Sequence, residues 1–526
     1  MSSSDGTKTA QVGPDAANLS TKKLASGGVL IRSTAWNFLG QAIPLFVAIP
    51  VLPVLVAKLG IERFGVLMLV WMAIGYFSLF DLGLGRALTQ MIARKLGEGA
   101  EAAVADVVKT GLVLMGFASL VGASLIWVIA PWLAQSALHI PAPLQDETLS
   151  SLYLIAIAVP FIVTSSGLTG VLAAYQRFDI VNSVRTPMAV LTILLPVAVT
   201  ALTVRLEWIV AIVVVTRVVG SIAYLVACAR VVPWTKRGDR SHGLTVREFV
   251  RLGGWMTLSN LLSPFLVYMD RFVIAGFVSV VAVAYYSTPY EVITKFWIVP
   301  GAIVGVLFPA FAATFFGDKK RTSFLLAQGT KYVFLALFPL TVGVVIFADE
   351  ALGIWLGREF AANSSRVLQI LAVGVLINSL VHPATVLVQG AGRPDKVAKL
   401  HLIELPLYLP VLWYLTIRFG IEGAAVAWTL RVAIDAALLY SAASFLLPRK
   451  EGALARIAFS VITVSGVLVG AFFITEIITE IIYKIVYYIS VMGIFLVVAW
   501  LKILLESERT IVGTRLLAAF GGTRRK

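Results

Sequence analysis

The chain has 526 residues, of which 59% are hydrophobic and only 13% carry a charge. Soluble domains are about 45–50% apolar and about 25% charged, so the composition excludes an ordinary soluble protein and predicts an integral membrane protein. The net charge of +15 would suggest a nucleic-acid partner in a soluble chain. In a membrane protein it has a simpler cause, the retention of Lys and Arg on one side of the bilayer, and we expect no nucleic-acid partner.

The first 28 residues, MSSSDGTKTAQVGPDAANLSTKKLASGG, are small and polar. They contain no apolar stretch of the kind a signal peptide needs, so residues 1–28 are predicted to be a disordered cytoplasmic tail. The first apolar segment, which follows directly, is therefore expected to act as the targeting element.

Apolar segments of about 20 residues with few charges are the signature of membrane-spanning helices. We count about fourteen, so the predicted fold is an all-α polytopic membrane protein. The predicted spans are 31–56, 64–85, 110–134, 149–174, 186–204, 208–229, 252–277, 290–315, 324–347, 366–388, 399–417, 422–447, 455–475 and 483–503.

The basic residues are distributed unequally between the two sets of connecting segments. If the N-terminus is cytoplasmic, 32 of the 43 Lys and Arg residues lie inside and only 7 lie outside. Cytoplasmic segments of membrane proteins carry such an excess, so both termini are predicted to be cytoplasmic. The remaining four basic residues lie within spans, and they are Arg217, Arg271, Lys295 and Arg431.

Spans five and six resemble spans eleven and twelve in sequence. The first pair follows YQRFD and contains LTVR before span six, whereas the second follows GAGRPD and contains LTIR before span twelve. Arg217 and Arg431 lie at matching places in these copies. Six spans separate the copies, and an even number predicts two parallel lobes with a cleft between them.

This repeat predicts the organisation of the whole chain. After the tail, residues 29–230 form an N-lobe with six spans and residues 251–447 form a C-lobe with six more, joined by a cytoplasmic linker at 231–250. Residues 448–505 hold the two extra C-terminal helices, and residues 506–526 form a basic cytoplasmic tail.

Charges inside spans cost about 2.5–3.5 kcal/mol each, so they need a function or a partner. We predict that Arg217 and Arg431 bind substrate as a cationic pair facing each other across the cleft, the alternative being a structural ion pair between lobes. Asp435 follows Arg431 by one helical turn. It could pair with Arg431 along the helix, or it could compete with substrate for that arginine.

Four further charges flank one predicted outer loop. Asp270 and Arg271 lie near the outer end of span seven, and Glu291 and Lys295 are predicted to begin span eight. We therefore expect the four to share a depth in the membrane. Two interpretations stay open: a salt-bridge cluster that closes the outer side, or a proton or sodium coupling site beside a substrate-binding pair of cations.

The inner end of span two is a predicted gate. Asp81 and Arg86 enclose the glycines of DLGLGR, which lacks the third glycine and the preceding strand of a dinucleotide-binding fingerprint. Glycine allows the helix to break there, so a hinge or inner gate is expected. Glu404, in a proline-kinked part of span eleven, could line the same mouth.

The sequence predicts no metal site, no intramolecular disulfide and no catalytic site. His139, His242, His382 and His401 are scattered over different spans and loops, so no metal site is expected. Cys228 is the sole cysteine, which excludes an intramolecular disulfide. No nucleophile lies near a base in an outer loop, so the chain is predicted not to be an enzyme.

Four motifs carry a resemblance to a known family. They are FDLGLGRALTQMIARKLGEG, YMDRFVIAGFVS, ALGIWLGREFAANSSRVLQIL and GAGRPDKVAKLHLIELPLY. Together with the spans and the repeat, they resemble the polysaccharide-biosynthesis flippases of the multidrug/oligosaccharidyl-lipid/polysaccharide exporter superfamily, over residues 30 to 505.

The resemblance implies a fold, a substrate and a location. The fold would be two six-helix lobes in a V, alternating between inward and outward openings, without a chemical active site or cofactor. The substrate would be an undecaprenyl-pyrophosphate-linked oligosaccharide of O antigen or exopolysaccharide, moved across the bacterial inner membrane. Partners would be membrane lipid and the polymerase and glycosyltransferases of the same pathway. We expect an ion gradient, of H⁺ or Na⁺, or the membrane potential to drive transport.

Three other functions compete with this expectation. A drug antiporter of the same superfamily would be expected to use an acidic pocket, and the four cations within spans argue against it. A membrane glycosyltransferase or polymerase would need outer loops larger than 135–148 and 348–365, the longest predicted here. A non-transporting partner in an export complex stays open.

Overall fold

A computed structural model describes the chain at residues 27–77, 84–97, 101–175, 177–232, 234, 268–315, 317–447, 470, 477–478, 480–504, 506 and 508–510. Every regular element in these ranges is a helix, which confirms the all-α prediction. Eight of the described helices are long and apolar enough to cross a membrane. The count of fourteen stays a prediction, since spans seven and thirteen fall largely outside the described residues.

Six helices make up the described part of the N-lobe. They are α1 (Gly27–Phe77), α2 (Leu84–Gly97), α3 (Glu101–Trp132), α4 (Ala142–Ala174), α5 (Phe178–Thr200) and α6 (Leu206–Val231). Helix α1 is two helices joined at Gly60, whose φ of 73° lies in the left-handed region that glycine adopts without strain. The break falls between predicted spans one and two.

The C-lobe follows the same plan. Its described helices are α7 (268–277), α8 (Val280–Ile293), α9 (Ile298–Thr314), α10 (Lys319–Leu356), α11 (Arg358–Gly390) and α12 (Pro394–Leu446). A 3₁₀ turn, Thr294–Trp297, joins α8 to α9. Helix α12 reverses direction at Gly420, whose φ is 58°, so it supplies two antiparallel halves.

Several helices are longer than the predicted spans. Helices α10 and α11 are separated by Gly357 alone, so the predicted outer loop at 348–365 was wrong. Helix α8 begins at Val280, so the prediction that Glu291 and Lys295 begin span eight was also wrong. Glu291 lies near the C-terminal end of α8, and Lys295 lies in the 3₁₀ turn that follows it. Helices continue past the apolar stretch because their backbone hydrogen bonds do not depend on the bilayer.

The last described helix, α13 (Ile481–Val498), packs on α10 of the C-lobe. Phe495 lies 4.8 Å from Phe338 and 5.8 Å from Phe334, measured between ring centroids. Nearer the other end of α13, the Lys484 ammonium lies 2.6 Å from the Glu350 carboxylate. A buried ion pair and an aromatic cluster therefore fix α13 to this lobe.

The two lobes touch at one end of the bundle, which we call the closed end. Gly65 in α1 lies against Val280 at the start of α8, so closely that a Cβ atom on Gly65 would lie 2.2 Å from the Val280 carbonyl oxygen. The His139 amide also donates to the Ala275 carbonyl at 3.0 Å. Only glycine permits two backbones to approach this far.

A third contact at the closed end depends on a proline. The Trp355 indole of α10 donates a hydrogen bond to the Ile49 carbonyl of α1. In an unbroken helix that carbonyl would accept from the amide of residue 53. Residue 53 is proline, which has no amide proton, so the Ile49 carbonyl is free to bind the other lobe.

Candidate substrate cavities and buried charges

A cavity of about 310 Å³ lies between the lobes, and we call it the interlobe cavity. Its N-lobe wall comes from both halves of α1 and from α5, and its C-lobe wall from α7, α8 and the 3₁₀ turn. The lining residues are Pro44, Ala48, Leu52, Met68, Trp71, Met72, Ile193, Tyr268, Arg271, Ser287, Thr288, Glu291, Val292 and Lys295.

The structure brings Asp270, Arg271, Glu291 and Lys295 together, as predicted. An Arg271 guanidinium nitrogen lies 3.2 Å from the Glu291 carboxylate and another lies 3.8 Å from Asp270. The Lys295 ammonium lies 3.6 Å from Glu291, one helical turn away. The cluster lies on the wall of the interlobe cavity and not at the outer end of span eight.

The two cations of this cluster are held differently. Arg271 is only 1% exposed; its Nε donates to the Ser287 hydroxyl at 3.2 Å and its guanidinium lies 4.3 Å from the Tyr290 ring centroid. The Lys295 side chain is 43% exposed. Arg271 is therefore fixed in the wall, whereas the Lys295 ammonium is accessible from the cavity.

A second cavity, of about 530 Å³, lies inside the N-lobe among α4, α5 and α6, and we call it the N-lobe cavity. It shares Trp71 and Ile193 with the interlobe cavity, so the two adjoin at these side chains. Its lining residues are Trp71, Ile162, Ser165, Ser166, Thr169, Arg185, Met188, Ala189, Thr192, Ile193, Thr216, Arg217, Gly220 and Tyr224.

Sequence reasoning missed Arg185 and Trp71. Arg185 was placed in a cytoplasmic segment because predicted span five begins at 186, but α5 begins at Phe178 and carries Arg185 two turns into the helix. Trp71 lies in an apolar span where a tryptophan gives no particular signal. The period of α5 could have placed Arg185 and Ala189 on one face, since they are four residues apart.

Arg431 and Asp435 lie in a second polar network, inside the C-lobe. The described ion pair of Arg431 is with Glu404, at 3.6 Å, and not with Asp435 as the spacing suggested. Asp435 instead lies 3.6 Å from the His401 imidazole. Glu404 is only 4% exposed, so it is buried between the halves of α12 and does not line an open mouth.

This C-lobe network contains polar atoms without hydrogen-bond partners. Both carboxylate oxygens of Glu404, one oxygen of Asp435 and the Nε of Arg431 have none among the described residues. One ligand atom each from His401, Glu404 and Asp435 lies within 4.8 Å of the others. The sequence-based search considered histidines alone and therefore missed this group.

The structure does not bring Arg217 and Arg431 face to face in this conformation. Arg217 lines the N-lobe cavity, whereas the Arg431 guanidinium lies 5.5 Å from the Tyr408 ring centroid inside the C-lobe. Their predicted roles stay predictions. Of the predicted gate, Asp81 lies outside the described residues and Arg86 lies in α2.

The comparison with known families identifies the chain. Residues 30–315 match the family described as "Polysaccharide biosynthesis protein". The chain belongs to this family. This confirms the resemblance predicted from the four motifs. Two of the matching relatives are named as a transporter and a flippase, which agrees with the prediction that the chain is not an enzyme.

Individual proteins support this assignment. The chain is 30% identical over 418 residues to a putative O-antigen transporter of Shigella flexneri, covering 78% of this chain and 96% of that one. Among solved structures it resembles the lipid II flippase MurJ in an inward closed conformation, with TM-score 0.63, 14% identity and coverage of 88% and 98%. It also resembles an inward-facing MATE multidrug transporter, with TM-score 0.62, 14% identity and coverage of 78% and 98%. The last two likenesses concern the fold, which confirms the predicted architecture of this multi-pass membrane protein.

Proposed function

We propose that this protein moves an undecaprenyl-pyrophosphate-linked oligosaccharide across the bacterial cytoplasmic membrane by alternating access. The observation that carries the proposal is the interlobe cavity, which places Arg271 and Lys295 between two lobes that meet at the closed end. A relative named as an O-antigen transporter, matched over nearly its whole length, supports the substrate class.

The anionic head group explains the charges on the cavity wall. A pyrophosphate that leaves water needs fixed cations to replace its hydration. Lys295 supplies an accessible ammonium, and Arg271 fixes the Glu291 carboxylate beside it. Transport also requires that the head group be released, and the Glu291 carboxylate competes with it for the Lys295 ammonium.

The orientation of the chain in the membrane determines which side of the membrane the closed end faces. The excess of Lys and Arg assigns the loops at Gly60, 138–141 and Gly357 to the periplasm. The closed end would then be periplasmic, both termini would be cytoplasmic, and this conformation would receive substrate from the cytoplasmic leaflet. Glycosyltransferases of the same pathway would supply the substrate and a polymerase would use it.

We assign ion coupling to the C-lobe network. Glu404 and Asp435 present carboxylate oxygens without hydrogen-bond partners, and His401 lies beside them. Two carboxylates and one arginine leave one negative charge in excess in this network. H⁺ or Na⁺ would neutralise it and remove the cost of burying it. Binding there would also weaken the hold of Glu404 on Arg431, which links the ion to the packing of α12.

The proposal is tested in a strain that lacks the chain. Loss should block delivery of a glycan to the cell surface and accumulate its lipid-linked precursor, and the wild-type chain should restore both. Lys295→Ala should restore neither at normal protein level, whereas the exposed Lys320→Ala serves as the control and should restore both. Normal surface glycan with hypersensitivity to cationic drugs would instead support an antiporter, and normal glycan with normal drug resistance would contradict both.

A further inference from the structure

We propose that the N-lobe cavity is a subsite for a carboxylate-bearing sugar of the transported glycan. The inference rests on the proposed function and specifies its substrate: a repeat unit that contains a uronic-acid type of residue. Three observations carry it, namely the charge of the cavity, the direction of its hydrogen bonds and its junction with the interlobe cavity.

The N-lobe cavity carries uncompensated positive charge. Arg185 and Arg217 line it, and no Asp or Glu is among its described lining residues. The Nε of Arg217 is buried without a hydrogen-bond acceptor. The interlobe cluster differs, because Asp270 and Glu291 balance its two cations. Arg185 is exposed to the cavity, whereas the Arg217 guanidinium has a buried Nε and no carboxylate among these lining residues. Such a partly buried cation is costly, and a bound anion offsets that cost.

The hydroxyl groups of the cavity favour a sugar over a pyrophosphate. Thr169, Thr192 and Thr216 donate to backbone carbonyls of their own helices at 2.9, 2.7 and 2.6 Å, and Tyr224 donates to the Val181 carbonyl at 3.2 Å. A hydroxyl has one proton and two lone pairs, so each threonine oxygen is left to accept, whereas the Tyr224 oxygen already faces Arg185. Sugar hydroxyls can donate to them, whereas a fully ionised pyrophosphate has no proton to give.

The donors and acceptors of the cavity therefore form two sets. The guanidinium groups donate to a carboxylate in a two-pronged geometry, and the threonine oxygens accept from sugar hydroxyls. A neutral sugar could accept from the guanidinium groups but would leave their positive charge uncompensated, and a fully ionised phosphate would leave the threonine acceptors without a donor. A uronic acid satisfies both sets.

Trp71 connects this subsite to the rest of the substrate path. It lines both cavities, and its indole Nε1 is buried without a partner. An indole offers an apolar face and one N–H donor, which together suit a sugar ring. A head group beside Lys295 could therefore extend its glycan past Trp71 into the N-lobe cavity, whose volume lies within the range of about 300–1,000 Å³ typical of ligand sites.

The test uses the purified full chain in lipid nanodiscs and three probes: sodium glucuronate, glucose and inorganic pyrophosphate. Ligand-observed NMR measures binding, since it detects weak complexes. We expect glucuronate to bind more tightly than glucose, and Arg217→Ala or Arg185→Ala to weaken glucuronate by about 10- to 100-fold, as for loss of a charge-assisted hydrogen bond. Arg217→Lys should retain part of the affinity. Arg230→Ala, an exposed change on the same helix, should retain all of it.

Each other outcome overturns the inference. Equal binding of glucuronate and glucose, or glucuronate binding that is insensitive to Arg217→Ala, would remove the anionic sugar from this cavity. Displacement of glucuronate by pyrophosphate, with pyrophosphate binding lost in Arg217→Ala, would assign the cavity to the carrier lipid. The proposed function is judged separately, by restoration of surface glycan in the deletion strain, and it stands or falls independently of these three probes.

Discussion

Adding one methyl group at Gly65 should open the closed end. In the structure the Cβ of Gly65→Ala would lie 2.2 Å from the Val280 carbonyl oxygen and 2.9 Å from its carbon, whereas ordinary contacts begin at 3.4 Å. Both opposing atoms belong to backbone, so no flexible side chain can yield. The two helices must therefore separate by about 1 Å, because packed interiors have no slack to absorb the overlap.

The cost of this overlap falls on one conformation only. Overpacking destabilises a structure by about 1–3 kcal/mol. The overlap at Gly65 exists only while the two lobes touch at the closed end, so it destabilises the closed conformation and leaves the open conformation unaffected. Since 1.4 kcal/mol is a factor of ten, Gly65→Ala should shift the ratio of open to closed molecules by about 5- to 150-fold. Gly65→Val, which introduces a larger side chain, should shift the ratio of open to closed molecules further.

Spin-label distances can measure this shift. Cys228 is the sole cysteine, so Cys228→Ser gives a background for the pair Glu62→Cys and Glu359→Cys, at two positions that line the same recess of the closed end. We expect a longer distance to appear or to gain population in Gly65→Ala. Gly116→Ala is the matched control, because a Cβ there meets nothing within 4 Å. Identical distance distributions in Gly65→Ala and the background would refute the reasoning.

Three further predictions concern the buried charges, each measured as thermal unfolding in one detergent. Arg217→Met should leave the unfolding temperature unchanged or raise it, because it removes a guanidinium that lacks a carboxylate partner; a clear fall would indicate a structural role. Arg431→Met should lower it, at a cost of about 3–5 kcal/mol for stranding Glu404, and adding Glu404→Gln should recover much of the loss; no recovery would contradict the pairing. Lys484→Met should strand Glu350 and lower the unfolding temperature, and an unchanged value would show that the aromatic cluster alone holds α13.

Sequence reasoning succeeded where the signal is local. Within the described residues, the apolar segments and the breaks between spans one and two and between spans eleven and twelve could be predicted, since each follows from a single segment of chain. The ends of α10 and α11 could not be predicted from the sequence. Residues 348–365 contain several charges and resemble a loop, but hydropathy reports where the bilayer ends and not where the helix ends.

The partner of Arg431 shows the same limit in the site. Asp435 was the expected partner because it lies one turn away on the same helix, but the described ion pair is with Glu404. Gly420 reverses α12 and brings the two halves side by side, so residues far apart in sequence compete with the nearest neighbour. Spacing along one helix therefore predicts a contact only where no second helix offers a better one. Arg185 and Trp71 entered the site through such packing, which a linear motif does not contain.

The free energy needed to break the hydrogen bond between Trp355 and the Ile49 carbonyl depends on the lipid around the lobes. When the lobes part, an indole N–H and a peptide oxygen both lose their partner, at about 1–3 kcal/mol for each group that stays dry. Water at the membrane surface removes most of that penalty, whereas hydrocarbon does not. Trp355 lies in the last turn of α10, and tryptophan side chains favour the boundary between water and hydrocarbon. Bilayer thickness should therefore set how easily this end opens, so the same sequence would cycle at different rates in thin and thick membranes.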